Sequence, residues 1–178
     1  MSDLTPPDST LLEPSSEPIG ACTVLRGVAD LPGVDTLEGR VVPLLSGENV
    51  TSHMIVMEPG MWCYPHPHPT ESLIFTPSGR WVFCTTDDEG QEIRTVLGPG
   101  DLFHMDYDVP TGFENPFDEP AVLLIFKSGS WTHAEMVEGL VEMQASLERQ
   151  VREEGAVFTL AELPEDHPAR TFAASLDA

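Results

Sequence analysis

From Cys22 onward, short apolar-rich, β-like runs alternate with turn signals instead of recurring at helical spacing. Such a pattern of short β-prone runs bounded by turn residues marks strands joined by turns. It predicts strands over 22–25, 40–45, 51–57, 73–76, 80–85, 92–97, 102–106 and 121–127. A further extended stretch runs through His66 and His68. Gly33, Gly47-Glu48-Asn49, Pro59-Gly60 and Pro77-Ser78-Gly79 punctuate these runs. Asp87-Asp88-Glu89-Gly90 joins two of them as a hairpin signal. Many short strands with regular turns predict an all-β antiparallel sandwich or barrel.

The period changes at Ser130. Thr132-His133-Ala134-Glu135 reads as a capping box, and Val137, Leu140, Val141, Leu147 and Val151 then recur at helical spacing. Gly155 is the expected stop. The apolar stripe of this helix is expected to cover the β domain or a second subunit, and Gln144 interrupts any zipper seam. A short strand over 157–160 and a polar tail complete the chain. Residues 1–20 are rich in Pro, Ser, Asp and Glu and read as a flexible acidic tail. Three parts are therefore expected: the tail at 1–20, a β domain at 21–128, and a C-terminal helix and tail at 129–178.

Composition narrows the function classes. A length of 178 residues suits one domain with a substantial core. Thirty acidic residues against 8 basic ones give a net charge of −22, which argues against nucleic acid and anionic membranes as partners. No apolar run approaches the roughly 20 residues that span a bilayer. Cys22, Cys63 and Cys84 are scattered and odd in number, so reduced thiols and a cytoplasmic location are expected.

Candidate chemistry concentrates between Gly60 and Gly79, in the run Trp62-Cys63-Tyr64-Pro65-His66-Pro67-His68-Pro69-Thr70-Glu71-Ser72. Residues two apart on a strand share a face, which groups His66 and His68 with Trp62 and Tyr64 and turns Cys63 away. Neutral imidazoles with a carboxylate such as Glu71 suit Fe, Mn, Zn, Ni or Co. The plainer reading makes both histidines surface residues held between prolines. Tyr64 offers a proton donor and Trp62 an aromatic wall, unless both fill the core. Glu71 is a ligand, a general base or an outward-facing acid. His53 and His133 read as an ordinary strand residue and a first-turn helix residue. Arg40, Arg80, Arg94 or Lys127 would clamp a substrate carboxylate if it faced inward, and the sequence does not select among them.

The spacing Gly60, five residues, His66-x-His68, an acid and then Gly79 resembles the first motif of the cupin superfamily. Pro99-Gly100-Asp101 through Asn115 resembles its second. The resemblance covers roughly residues 40 to 128. It implies a cupin-type antiparallel jelly-roll β-barrel, here with a C-terminal α-helix, and a divalent transition metal in the barrel. Its ligand pattern matches at His66 and His68, while Ser72 and Thr111 stand at the spacings of the family's glutamate and third histidine. Glu71 and His104 are then the substitute ligands, and Ser72, Thr111 and Trp62 are expected to line the substrate space. The function implied is a metal-dependent enzyme acting on a small organic molecule by oxygenation, decarboxylation, lyase or isomerase chemistry. The alternative is a metal-poor binding or sensing protein, or a metal-free isomerase using acid–base residues such as Tyr64 and Glu71. A homodimer is expected from the same resemblance.

Overall fold

A computed structural model describes residues 16–176. Its first fifteen residues, most of the expected tail, and its last two lie outside the described part. Two sheets carry the fold. The larger has six strands, in the order 102–105, 72–78, 121–128, 50–57, 39–46 and 34–36, and the smaller has four, 62–67, 110–114, 81–86 and 92–97. In chain order the strands are β1 (Ser16–Ile19), β2 (Cys22–Leu25), β3 (Val34–Thr36), β4 (Gly39–Ser46), β5 (Val50–Met57) and β6 (Trp62–Pro67). They continue as β7 (Ser72–Ser78), β8 (Trp81–Thr86), β9 (Glu92–Leu97), β10 (Leu102–Met105), β11 (Pro110–Glu114) and β12 (Ala121–Ser128). All pairings are antiparallel. The expected jelly roll is thus a two-sheet sandwich that hydrogen bonding does not close into a barrel.

Alternation decides which face is inside. On β12, Ala121, Leu123 and Ile125 are buried between the sheets, while Phe126 is exposed. Directly opposite on β5, Met57, Ile55 and His53 follow the same inward row. Trp81 stacks on Phe113 within this core at 5.4 Å between centroids and 10° between planes. Such a pair adds about 0.5–1.5 kcal/mol beyond the area it buries. The Trp81 indole N–H is satisfied by Thr76 Oγ1 at 2.9 Å. On the outer face of the larger sheet, Val42, Leu44, Met54 and Val56 are covered by Leu25, Val28 and Leu31 from the N-terminal hairpin and the turn after it. Part of the stretch expected as a tail, Ser16–Ile19, is the first strand of that hairpin.

Helix α1 (His133–Arg149) begins at the expected capping box. The Glu135 amide donates to Thr132 Oγ1, and the Glu135 carboxylate accepts from the Thr132 amide at 2.7 Å. Val137 and Leu140 join the inner core with Val34, Val41 and Ile55, so the stripe covers the open side of the sandwich. Beyond Arg149 the helix widens into a π-type turn and stops at Gly155, whose φ of 64° suits glycine. Residues 158–160 run along the edge of β6, with the Trp62 amide donating to the Phe158 carbonyl at 2.9 Å. The remainder is not only a polar tail. Pro168–Leu176 form a second helix, α2, whose Ala169 packs with Leu160 and Leu163 on Trp62. Among the described residues, no helix is long and apolar enough to cross a membrane.

Candidate metal centre and cavity

His66 and His68 do face the interior together, with ring centroids 4.5 Å apart. The rest of the expected face does not follow. Strand β6 pairs with β11 as His66↔Thr111 and Cys63↔Phe113, so three steps on β6 match two on β11. Tyr64 and Pro65 form a bulge there, which reverses the parity of the strand. Trp62 therefore turns outward onto Leu160, Leu163 and Ala169. Tyr64 lies on the outer side, its hydroxyl donating to Gln150 Oε1 at 3.3 Å. Cys63, expected on the face opposite the histidines, is fully buried in the core, with Sγ 3.6 Å from His66 Nδ1. Gly112 makes the bulge possible, because a Cβ there would lie 2.7 Å from the Cys63 carbonyl.

The third member of the cluster is one that sequence reasoning missed. Glu38 stands at the turn between β3 and β4, where Thr36 Oγ1 accepts from the Glu38 amide and donates to the Gly39 carbonyl. Gly39, at φ 126°, lies against the Val56 carbonyl, and no side chain fits in that position. This tight turn tips Glu38 inward, where only 4% of it is exposed. Its Oε1 lies 3.3 Å from His66 Nε2 and 3.6 Å from His68 Nδ1. Nothing local marks Glu38, since an acid beside a glycine at a hairpin tip ordinarily points to solvent.

The substitute ligands expected downstream sit elsewhere. Glu71 and His104 pair with each other at 2.8 Å on the surface, each side chain more than half exposed. Ser72 and Thr111 are buried, and the Thr111 hydroxyl donates to Met105 Sδ at 3.3 Å. Of the four cations left open by the sequence, Arg94 is held by Glu92 and Glu114, Arg80 lies over the Phe117 ring, and Arg40 donates to the Leu31 carbonyl. Only Lys127 reaches the cavity described below.

Electrostatics prepare the cluster for a cation. His66 Nδ1 lies 2.9 Å from the Tyr64 carbonyl, which can only accept, so Nδ1 carries the proton and Nε2 faces Glu38. Burial alone would push the Glu38 carboxyl up, but the hydrogen bond from His66 and the charges of Lys127 and the histidines bring it down to about 2. Burial lowers His68 to about 4, so its ring is neutral at pH 7. His66 is raised; burial works against this, but the bonds to Glu38 and Tyr64 outweigh it. His68 Nε2 is buried without a hydrogen-bond partner. The His68 nitrogen that faces Glu38 is Nδ1, and a neutral imidazole nitrogen beside an ionised carboxylate and a second imidazole is a donor set that fits a divalent metal. The ligand atoms of Glu38, His66 and His68 all lie within 4.8 Å of one another.

Glu38 also borders a cavity of about 390 Å³ between α1 and the inner face of the larger sheet. Thr51, His53 and Lys127 line it from the sheet, and Met136, Leu140 and Met143 from the helix. His53, read from sequence as an ordinary strand residue, is buried here, and burial with the nearby Lys127 charge lowers it to about 3.

Residues 53–127 match the family model described as a cupin domain. Among solved structures, the DMSP lyase DddQ of Ruegeria pomeroyi is 27% identical at a TM-score of 0.40, over 47% of this chain and 40% of that one. A cupin domain from Bordetella pertussis is 19% identical at a TM-score of 0.43, over 56% of this chain and 96% of its own. Peruvianin-I, described as a cysteine peptidase from Thevetia peruviana latex, is 20% identical at a TM-score of 0.51, over 60% of this chain and 71% of its own, a likeness of fold alone. This chain spans well under half the length of the lyase. No curated protein matches the sequence.

Proposed function

Since residues 53–127 make this chain a member of the cupin superfamily, we propose that it is a metal-dependent enzyme acting on a small organic molecule held in the cavity beneath α1. The observation that carries this reading is the convergence of Glu38, His66 and His68, of which Glu38 also borders that cavity. A divalent metal bound by these three residues supplies Lewis acidity toward an oxygen of the substrate. The protein's own part is positioning. The Tyr64 carbonyl fixes the tautomer of His66. The buried Glu38 supplies the anion that holds both imidazoles in place. Met136, Leu140 and Met143 give the cavity an apolar stretch on its helix side, beside Glu135.

A second reading, a binding or sensing protein without chemistry, is favoured by one observation: the family's further ligand spacings hold Ser72 and Thr111, and the Thr111 hydroxyl is turned to Met105. Incubating the metal-loaded protein with a panel of small organic acids, and following turnover by mass spectrometry, separates the two. Conversion that disappears with His66→Ala supports the enzyme. Retention without conversion supports the binding protein, and conversion that survives His66→Ala and chelation supports a metal-free isomerase.

A further inference from the structure

Lys127 is the only lysine in the 178-residue sequence, and it lines the cavity. It ends the inward row Ala121, Leu123, Ile125 of β12 and stands directly opposite Thr51 on β5. An inward-pointing lysine often protects a sheet edge from association. That explanation does not apply, because β12 is an interior strand between β7 and β5. Nor does Lys127 complete an internal ion pair. Two acids line the same cavity, Glu38 and Glu135. Glu38 is engaged by His66 and His68, and Glu135 by the amide and hydroxyl of Thr132 at 2.7 and 2.8 Å. Among the described residues, Lys127 makes no hydrogen bond and no ion pair within 4 Å, and its charge acts on Glu38 and His53 at longer range. A chain with 30 acidic residues has thus placed its one lysine in a partly apolar cavity without a hydrogen-bonded or ion-paired partner.

We propose that Lys127 anchors the carboxylate of a small monoanionic ligand whose apolar body lies against Met136, Leu140 and Met143, the reacting end being directed to Glu38, the member of the Glu38, His66 and His68 cluster that borders the cavity. Monoanions are favoured over phosphate dianions because the cavity offers a single cation. His53 is neutral at pH 7, since burial lowers it to about 3, and cannot share a second charge. Phosphate is commonly held by a guanidinium fork, and among the described residues no arginine lines this cavity. Size agrees, since about 390 Å³ is near the small end of the roughly 300–1,000 Å³ of ligand pockets. The inference deepens the proposed function by naming its substrate class, and it rests on that reading only in taking this cavity as the substrate site.

The test uses straight-chain carboxylates from acetate to octanoate, with their primary amides as uncharged controls. Binding to the purified protein is read by calorimetry and by the fluorescence of Trp131, which also lines the cavity. At least one carboxylate should bind more tightly than its amide. Lys127→Met should weaken it by about tenfold or more, the scale of a charge-assisted hydrogen bond. Lys127→Arg should retain the preference for the acid, and thermal unfolding should show both variants folded. In His66→Ala the preference should persist, so a protein found to carry no metal would overturn the enzyme reading and leave this one standing. Equal binding of acid and amide, unchanged affinity in Lys127→Met, absence of binding by every carboxylate, or a preference abolished by His66→Ala but kept by Lys127→Met would each overturn it. The last result would put the carboxylate on the metal.

Discussion

Replacing Glu38 by Gln keeps the volume of the side chain and removes the one anion between two buried imidazoles. Outer-shell partners of metal ligands typically contribute about 10–100-fold in affinity. As a direct ligand, Glu38 should contribute more, so Glu38→Gln should lower the affinity for Co²⁺ or Zn²⁺ beyond that range, read by competition with a chromophoric chelator. An unchanged affinity would place the metal elsewhere. His53 gives a test by pH. Its folded value, about 3, lies below the ordinary value near 6.5. Below pH 6.5 the unfolded chain therefore binds a proton that the folded chain refuses. The resulting stability is present above 6.5 and is lost as pH falls toward 3. One such group gives a slope of about 1.4 kcal/mol per pH unit. His68 adds to this down to about 4, and His66, being raised, works in the opposite sense. Urea unfolding in chelator between pH 6.5 and 5 should show His53→Gln losing about one proton's worth of slope relative to the parent; parallel slopes would refute the burial argument. These residues were unequally legible. His66 and His68 announce themselves by spacing. Glu38 is distant in sequence and recognisable only after the turn has tipped it inward, and His53 and Lys127 needed the sheet register to reveal their face.

At the scale of elements, the bulge on β6 decides what the histidines see. The repeated two-residue spacing implied one continuous face, and a single extra residue opposite Gly112 divided it. Gly112→Ala should therefore cost about 1–3 kcal/mol by overpacking against the Cys63 carbonyl and Pro65. It should also weaken metal binding; a variant with unchanged unfolding temperature and unchanged metal affinity would show that the bulge does not set the histidine positions. Gly139 is the converse case. It lies mid-helix on the cavity side of α1, and nothing stands within 4 Å of where its Cβ would be. Gly139→Ala should raise stability by about 0.5–1 kcal/mol through helix propensity alone. Gly139→Leu should fill the cavity and abolish carboxylate binding with the metal retained. The bounds of β2 and β9 were legible to the residue from their β-like composition and the turn signals beside them. β3 is only three residues long, and β11 carries Pro110 and Gly112, both unfavourable in a strand interior. α1 was legible from its cap and stripe. α2 was not, because its short apolar face becomes meaningful only against Trp62.

For the molecule as a whole, the sandwich follows from the alternation and the spacing of the two motifs, and it survives every local correction. Position along the chain was a poor guide to the site. The acid nearest the histidines in sequence, Glu71, is on the surface with His104, and the acid that meets them arrives from the opposite end of the β domain. A net charge of −22 strengthens any cation's attraction to such a cluster, so ionic strength should weaken the encounter rate more than the bound state. The most direct measurement is the metal content of protein purified without a metal-affinity tag, by inductively coupled plasma mass spectrometry, for the parent and four variants. The account predicts one equivalent of a divalent transition metal in the parent, lost in His66→Ala and Glu38→Ala, and retained in Glu71→Ala and His104→Ala. No metal in the folded parent, or a metal that survives Glu38→Ala and leaves with Glu71→Ala, would contradict it.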